Sequence, residues 1–150
     1  MQLKSTHHSL ESLSQLTEWF STEWNNSEPF NNAISPFIVP EPILAFEQNK
    51  LVAGLAFKMY PSPMDKSNQT MGLWINAVLT HPNYRHQQLA STLIKEAVTI
   101  AREKYATHKI STNPDQKNLY VYTHLPNLYL KLGWQQIKQQ DNFYVLAHTF

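Results

Sequence analysis

The sequence predicts a mixed α/β fold in which a central sheet carries helices on both faces. Segments with the alternating apolar pattern of strands are interspersed with segments whose apolar residues recur at the spacing of a helix. Their order is strand, helix, irregular segment, three strands, helix, strand, helix and two strands. The 150 residues contain no internal repeat, low-complexity tract or linker, so we expect one domain over residues 1–150.

The first part of the chain is predicted to form a short strand over residues 1–6 and an amphipathic helix over residues 9–25. The apolar residues at helical spacing are Leu10, Leu13, Leu16, Phe20 and Trp24. The stretch 25–42 is rich in asparagine and proline and is predicted to be irregular. Two apolar runs, Ile43–Glu47 and Leu51–Met59, flank three polar residues, which predicts a hairpin.

A loop and a further strand are predicted after the hairpin. Residues 60–70 contain two prolines and are predicted to form the loop. Apolar residues then alternate through 71–80, which is the periodicity of a strand. Gly72, near the start of this strand, is expected to mark a strand edge or a bulge. Pro82 cannot donate to a ladder and is expected to end the strand.

A long helix is predicted to follow the polar turn 83–88. Its apolar face consists of Ala90, Leu93, Ile94, Ala97, Val98 and Ala101. A turn at 112–117 and a short buried strand at 119–122 are predicted next.

A short helix and two closing strands are predicted to complete the fold. Thr123 is expected to cap the helix, and Pro126 is compatible with its first turn. Gly133 is expected to end it, because glycine adopts a positive φ without strain. The closing strands are predicted over 134–138 and 143–148, around an Asp-Asn turn.

Composition argues against nucleic-acid binding, metal sites, membrane spans and secretion. The formal net charge is +1 with no block of like charges, so nucleic-acid binding has no support. Cysteine is absent, which excludes disulfides and thiolate metal sites, and the adjacent pair His7-His8 is not spaced for chelation. The longest apolar run, Leu51–Phe57, is far shorter than the ~18 residues of a membrane span. Residues 1–9 are polar and do not resemble a secretory signal, so a cytoplasmic location is expected.

The segment 78–94 carries the chemistry that the residues themselves indicate. A strand ends there, a polar turn with Arg85 follows, and a helix begins. The first turn of a helix presents unpaired backbone N–H groups and a positive dipole end, to which a pyrophosphate binds well. An ordinary strand-to-helix turn with a solvated arginine is the alternative reading of the same residues.

The same segment resembles the acetyl-CoA motif of the GNAT superfamily. The residues that carry the resemblance are His81-Pro82-x-Tyr84-Arg85-x-x-x-Leu89-Ala90, placed after a strand. The family pattern is Arg or Gln, two residues, Gly, one residue, and then Gly or Ala. Arg85 and Ala90 match it, whereas Gln88 stands where the family usually has glycine. His86 lies where many members carry a histidine.

A second segment is similar to the family's strand, helix and Gly-aromatic sequence. Residues 119–123, Leu-Tyr-Val-Tyr-Thr, precede 128–134, Leu-Tyr-Leu-Lys-Leu-Gly-Trp. The second run begins about forty residues after Arg85, which is the spacing of the family. Together the two resemblances cover roughly residues 71–150.

The resemblance implies a GNAT-like acyltransferase fold, with a twisted, mostly antiparallel sheet whose fourth and fifth strands splay apart. It implies acetyl-CoA as co-substrate, no metal, and direct acetyl transfer to a primary amine of a small molecule or peptide. The residues implied to bind the cofactor are Val78, Leu79, Thr80, Arg85, His86, Gln87, Gln88, Leu89, Ala90, Ser91 and Thr123. Thr123 and His124 stand near the position of an asparagine that many members place against the pantetheine. Because the closing strands often pair between subunits in this family, a homodimer is a further expectation.

Tyr129 is the catalytic residue that the resemblance implies. The family's tyrosine at this place faces the CoA sulfur and protonates the departing thiolate. From the residues alone, a core tyrosine on a short helix is the favoured alternative. The backbone N–H of Val78 is expected to stabilise the charge that develops on the acetyl oxygen.

The general base and the acceptor pocket stay open at this level. His81, His124 and a water chain are the candidates for the base, since histidine titrates near neutral pH. The aromatic residues that could line an acceptor pocket, or simply belong to the core, are Trp19, Phe20, Trp24, Tyr60 and Trp74. Two other functions remain: a non-catalytic CoA-binding regulatory module of the same fold, and an unrelated α/β interaction domain.

Overall fold

The computed structural model describes residues 1–5, 8–24, 39–64, 70–85, 88–107 and 118–149. These residues form seven strands and three α-helices in the predicted order. The elements are β1 (Gln2–Lys4), α1 (Leu10–Trp24), β2 (Ile43–Glu47), β3 (Lys50–Pro61), β4 (Met71–Thr80), α2 (Leu89–Thr107), β5 (Asn118–Thr123), α3 (Pro126–Leu130), β6 (Gln135–Gln140) and β7 (Phe143–Thr149). A single 3-10 turn, Pro82–Tyr84, follows β4.

All seven strands belong to one sheet with the order β1-β2-β3-β4-β5-β7-β6. Every neighbouring pair is antiparallel except β4 and β5, which run parallel. Parallel neighbours need a crossover, and α2 supplies it between β4 and β5. The predicted mixed α/β fold with a mostly antiparallel sheet is therefore confirmed.

The helices α1 and α2 lie on opposite faces of this sheet. Leu16 of α1 packs in a cluster with Leu44 of β2, whereas Leu93 of α2 packs in the larger cluster that contains Ile43. Neighbouring residues of a strand point to opposite faces, so the two clusters lie on the two sides of the sheet. Leu128 of α3 packs against the α2 cluster, which places α3 on the same face as α2.

The β2–β3 hairpin has the turn that its short connection requires. Gln48 and Asn49 have positive φ values of 49° and 65°. Two successive residues with positive φ match the twist of the flanking strands, as in the type I′ turns that dominate tight hairpins. The predicted hairpin is confirmed at this point, with β3 beginning at Lys50.

A bulge in β4 lies at a different residue from the one predicted. Ala77 pairs with Ala56 and Ile75 pairs with Phe57, so Asn76 is the extra residue of the bulge. Gly72, for which we predicted an edge or bulge, pairs regularly with Tyr60 of β3. The prediction of a bulge at Gly72 is therefore wrong, because register depends on the partner strand, which a single glycine does not reveal, whereas Gly72 does lie at the end of a strand, as the second residue of β4.

Three other predictions need correction or lie outside the described residues. Thr123 does not cap α3: the N-cap is Leu125, and the Thr123 hydroxyl accepts a hydrogen bond from the Leu125 N–H at 3.0 Å. Leu10, predicted on the apolar face of α1, is 83% exposed because it begins the helix beyond the sheet contact. The predicted irregular segment 25–38, the loop residues 65–69 and the turn 112–117 lie outside the described residues.

Within the described residues, no helix combines the length and the apolar character that crossing a bilayer requires.

Candidate active site

A cleft of about 970 Å³ separates the second half of β4 from the end of β5. The parallel pairing of the two strands covers three residue pairs and ends at Ile75 and Val121, although β4 continues to Thr80. The cleft lies beyond this point. It is lined by residues 75–80 of β4, by Tyr84 and Arg85, by residues 88–91 at the start of α2, by residues 121–125, by Leu128, Tyr129 and Lys131, and by Phe143.

The bulge at Asn76 determines which β4 side chains face each side of the sheet. Val78 packs against the α2 cluster, and Leu79 packs against the α1 cluster. Both residues line the cleft, so the cleft has walls on both faces of the sheet. A ligand in it can therefore contact groups from the α2 face and from the α1 face at once.

The backbone at the end of β4 points polar groups towards the cleft. The N–H of His81 donates to the carbonyl oxygen of Val52 on β3 at 2.8 Å. Because backbone groups alternate between the two edges of a strand, the N–H and C=O groups of Val78 and Thr80 point away from β3. The Thr80 carbonyl accepts a hydrogen bond from Arg85 Nε at 3.2 Å, which anchors the arginine at this edge.

The N-terminus of α2 presents free amides to the same cleft. The carbonyl oxygen of Gln88 accepts hydrogen bonds from the Thr92 N–H at 3.1 Å and the Thr92 hydroxyl at 3.0 Å. No group of the described residues accepts a hydrogen bond from the N–H groups of Leu89, Ala90 or Ser91. These amides, at the positive end of a 19-residue helix, form a site suited to an anion.

Gln88 explains how this turn is made without the glycine of the family pattern. Its φ is 61°, in the left-handed region that glycine adopts without strain and that costs other residues about 1–2 kcal/mol. The turn therefore keeps its geometry, and the side chain of Gln88 is exposed.

Tyr129 is a buried residue whose hydroxyl makes no hydrogen bond to another described residue. Its side chain is only 4% exposed and packs edge-on against Trp134, with ring centroids 5.1 Å apart. Tyr129 lines the cleft, and among the described residues its hydroxyl has no hydrogen-bond partner. Burial raises the pKa of this phenol above its ordinary value near 10, because desolvation penalises the phenolate.

The two histidines considered for the base lie in different places. His81 does not line the cleft; its Nδ1 accepts the Asn83 N–H at 3.2 Å, and its ring lies 5.7 Å from that of Trp19. His124 lines the cleft, and its ring meets the Phe143 ring edge-on at 5.9 Å. Of the two, only His124 has access to a ligand in the cleft.

The charged side chains that line the described cleft are both cationic, Arg85 and Lys131. No aspartate or glutamate of the described residues lines it. In the described ranges no three His, Asp or Glu side chains form a group suited to a metal ion. The electrostatics of the cleft thus favour an anionic ligand.

The structure brings most of the predicted site residues to one cleft. These are Val78, Leu79, Thr80, Arg85, Gln88, Leu89, Ala90, Ser91, Thr123 and Tyr129. His86 and Gln87 lie outside the described residues. The roles of all these site residues in binding and catalysis stay predictions.

Of the residues named for an acceptor pocket, those whose side chains the structure describes do not line this cleft. Trp19, Tyr60 and Trp74 are absent from its lining, and the side chains of Phe20 and Trp24 lie outside the described residues. The lining also contains residues that were not predicted, among them Tyr122, Lys131 and Phe143. The sequence could have indicated Tyr122, because it follows the apolar Val121 in a strand and side chains of neighbouring strand residues point to opposite faces.

Comparisons with known proteins give a family and a fold. The model described as "Acetyltransferase (GNAT) family" matches residues 10–134. A comparison with curated proteins gives no significant match.

Solved structures of N-acetyltransferases are similar over the whole chain. NAA60 of Arabidopsis thaliana in complex with acetyl-CoA is 12% identical, with a TM-score of 0.68 and coverage of 99% of each chain. Naa50 of Arabidopsis thaliana in complex with the bisubstrate analogue CoA-Ac-MVNAL is 15% identical, with a TM-score of 0.66 and full coverage of both chains. The ribosomal-protein-alanine N-acetyltransferase from Brucella melitensis is 12% identical, with a TM-score of 0.64 and full coverage of both.

At such identities these structures establish the fold, whereas the family model, which spans most of the chain, establishes the family. The splayed strands and the free helix terminus agree with it, and the chain belongs to the GNAT family of acetyltransferases.

Proposed function

We propose that this protein transfers an acetyl group from acetyl-CoA to a primary amine of a small molecule or peptide, in the cleft between β4 and β5. One domain over residues 1–150 carries this activity in the proposal. The single observation that supports it most is the cleft itself. It brings together the amides at the start of α2, the part of β4 that continues beyond its pairing with β5, and the Tyr129 hydroxyl, and among the described residues neither these amides nor this hydroxyl has a hydrogen-bond partner.

The residues on the α2 face fit the phosphates of CoA. The amides of Leu89, Ala90 and Ser91 have no acceptor among the described residues, and a pyrophosphate oxygen satisfies such donors well. Arg85 and Lys131 add positive charge along the same lining. Thr123 on β5 and the backbone of β4 then flank the pantetheine.

Acetyl-CoA supplies the acetyl group as a reactive thioester. In our proposal the backbone N–H of Val78 donates to the thioester oxygen and stabilises the negative charge that develops there. Tyr129 donates its phenolic proton to the departing sulfur, since a phenol is protonated at neutral pH. A carbon–nitrogen bond forms as the carbon–sulfur bond breaks, and His124 or a water accepts the proton that the amine loses.

The comparisons bear on the acceptor in general terms. The structures of Naa50 and of a NatC complex contain a peptide-like analogue or a Gag peptide, and PaiA of Thermoplasma acidophilum is an N-acetyltransferase bound to coenzyme A. The peptide complexes support a peptide amine as acceptor, and the small-molecule amine in the proposed substrate class rests on the family resemblance alone.

Two measurements test the function and separate it from a non-catalytic CoA-binding module. Calorimetric titration with acetyl-CoA is expected to show one site per chain, and a thiol-release assay over a panel of amines is expected to show turnover. Binding without turnover on any amine would favour the module. The absence of binding at millimolar acetyl-CoA would contradict the proposed function. A thermal unfolding series detects such binding independently, because a specific ligand at a hundred times its Kd adds about 2.7 kcal/mol to the free energy of unfolding.

A further inference from the structure

The two faces of the cleft differ in chemistry. On the α2 face lies the start of α2, whose first amides have no acceptor among the described residues, and Arg85 and Lys131 also line the cleft. On the α1 face lies a group of rings that we call the aromatic rim: Tyr122, His124 and Phe143.

Strand alternation places the aromatic rim on the α1 face. Val121 of β5 belongs to the α2 cluster, so its neighbour Tyr122 points to the other side. Val145 of β7 belongs to a separate cluster with Tyr120, and Phe143, two residues away, shares the side of Val145. The rim is thus on the face opposite α2.

The rings of the rim contact one another in two geometries. Tyr122 and Phe143 stack with centroids 4.7 Å apart and planes 9° from parallel, and His124 meets Phe143 edge-on. Tyr122 is 52% exposed and Phe143 is 38% exposed, although both are large apolar side chains. A stacked, exposed pair that lines a cleft presents a face on which another flat group can stack.

Charge narrows the class of acceptor further. The described lining of the cleft contains two cationic side chains and no carboxylate. Among the described lining residues, an acceptor with a second or third ammonium group would meet no opposite charge. A single amine can lose its charge on reaction, so it requires no carboxylate partner.

We propose that the acceptor is an aromatic monoamine, a compound in which one primary amine adjoins a flat aromatic group that stacks on Tyr122 and Phe143. This inference rests on the proposed acetyl transfer and names its substrate class. A free arylalkylamine and a peptide that begins with an aromatic residue share this chemistry.

A panel of three acceptors tests the class. With saturating acetyl-CoA, kcat/KM is measured for phenethylamine, for the dipeptide amide Phe-Ala-NH₂ and for spermidine. We expect at least one aromatic amine to exceed spermidine by about tenfold, the range that aromatic stacking supplies. The better of the two aromatic probes identifies the source, free amine or peptide.

Variants of the rim test its part in binding. Tyr122→Ser and Phe143→Ser are each expected to raise KM for the preferred aromatic amine roughly three- to tenfold and to leave KM for acetyl-CoA unchanged. Tyr122→Leu, which keeps apolar bulk and removes the ring, is expected to act in the same direction. Tyr60→Ser is the matched control: Tyr60 is 54% exposed on the same face of the sheet and does not line the cleft.

The outcomes separate this inference from the proposed function. Acetylation of spermidine as fast as of the aromatic amines, or an equal effect of Tyr60→Ser and Tyr122→Ser, overturns the inference and leaves acetyl transfer intact. Failure to bind acetyl-CoA overturns the proposed function, and the inference with it. The inference is supported if the enzyme prefers aromatic amines and if Tyr122→Ser and Phe143→Ser lose this preference while Tyr60→Ser keeps it.

Discussion

The α2 face and the α1 face of the cleft are built by different means. On the α2 face, backbone amides at the start of one helix and the edge of one strand form most of the polar surface. On the α1 face, side chains from β5 and β7 form the aromatic rim. A backbone site depends on the path of the chain and tolerates changes of side chain, whereas a side-chain site changes with each substitution. We therefore expect cofactor binding to be the robust half of the cleft and acceptor binding the adaptable half.

Replacing Tyr129 by phenylalanine is expected to have the largest effect, since we propose that this hydroxyl acts on the departing sulfur itself. Turnover is expected to fall about a hundredfold, the scale of a lost general acid, while KM for acetyl-CoA stays unchanged. Burial raises the Tyr129 pKa above 10, so the wild type and the variant are expected to share the shape of their pH–rate profiles below about pH 9. The measurement is steady-state kinetics of the wild type and the variant between about pH 6 and about pH 9, at intervals of roughly one pH unit.

Tyr144→Phe is the control for that experiment. Tyr144 is a half-buried tyrosine of β7 whose hydroxyl is bonded to Gln139 outside the cleft. Equal turnover in the wild type and Tyr129→Phe would remove Tyr129 from the mechanism. A loss confined to high pH would instead mean that the phenolate acts.

The packing of α1 on the sheet can be perturbed by a substitution at Gly54 of β3. A Cβ added at Gly54 would overlap the side chain of Leu16, which packs α1 on the sheet. Gly54→Ala is expected to lower the free energy of unfolding by about 1–3 kcal/mol, as overpacking does. Urea unfolding measures this effect.

Leu16→Ala provides the room that the added methyl needs, so the double variant is expected to lose less stability than the sum of the two single changes. Because α2 lies on the opposite face, the affinity for acetyl-CoA is expected to change little in Gly54→Ala. A large loss of that affinity would contradict the independence of the two faces.

Arg85→Ala tests the α2 face directly. Loss of a charge-assisted contact to a phosphate is expected to weaken acetyl-CoA binding about tenfold, with KM for the amine unchanged. Arg102→Ala is the matched control, because Arg102 is an exposed arginine of α2 that does not line the cleft. Calorimetry measures both variants, and an equal, small effect in the two would place Arg85 outside the cofactor site.

The contrast between the faces also explains what the sequence could predict. Strands, helices and the β2–β3 hairpin follow from local periodicity and turn residues, and these predictions were confirmed. The α2 face was found because Arg85 and Ala90 lie in one continuous motif. Tyr122 and Phe143 were missed because they meet only through the pairing of β5 with β7, which brings Tyr122 opposite Val145. The bulge at Asn76 was missed for the same reason, as it is a property of two strands together.

Gln88→Gly is expected to have the smallest effect, and it tests how far a backbone site is independent of side chains. Glycine relieves the cost of φ 61° but adds freedom to the unfolded chain, so the free energy of unfolding is expected to rise by less than about 1 kcal/mol. Gln88→Ala keeps the left-handed strain and is expected to gain nothing, which makes it the control in the same thermal or urea unfolding series. If glycine raised acetyl-CoA affinity tenfold while alanine did not, the backbone of this turn would be suboptimal with glutamine. If both raised it equally, the glutamine side chain itself would hinder the phosphates, and even the α2 face would depend on side-chain identity.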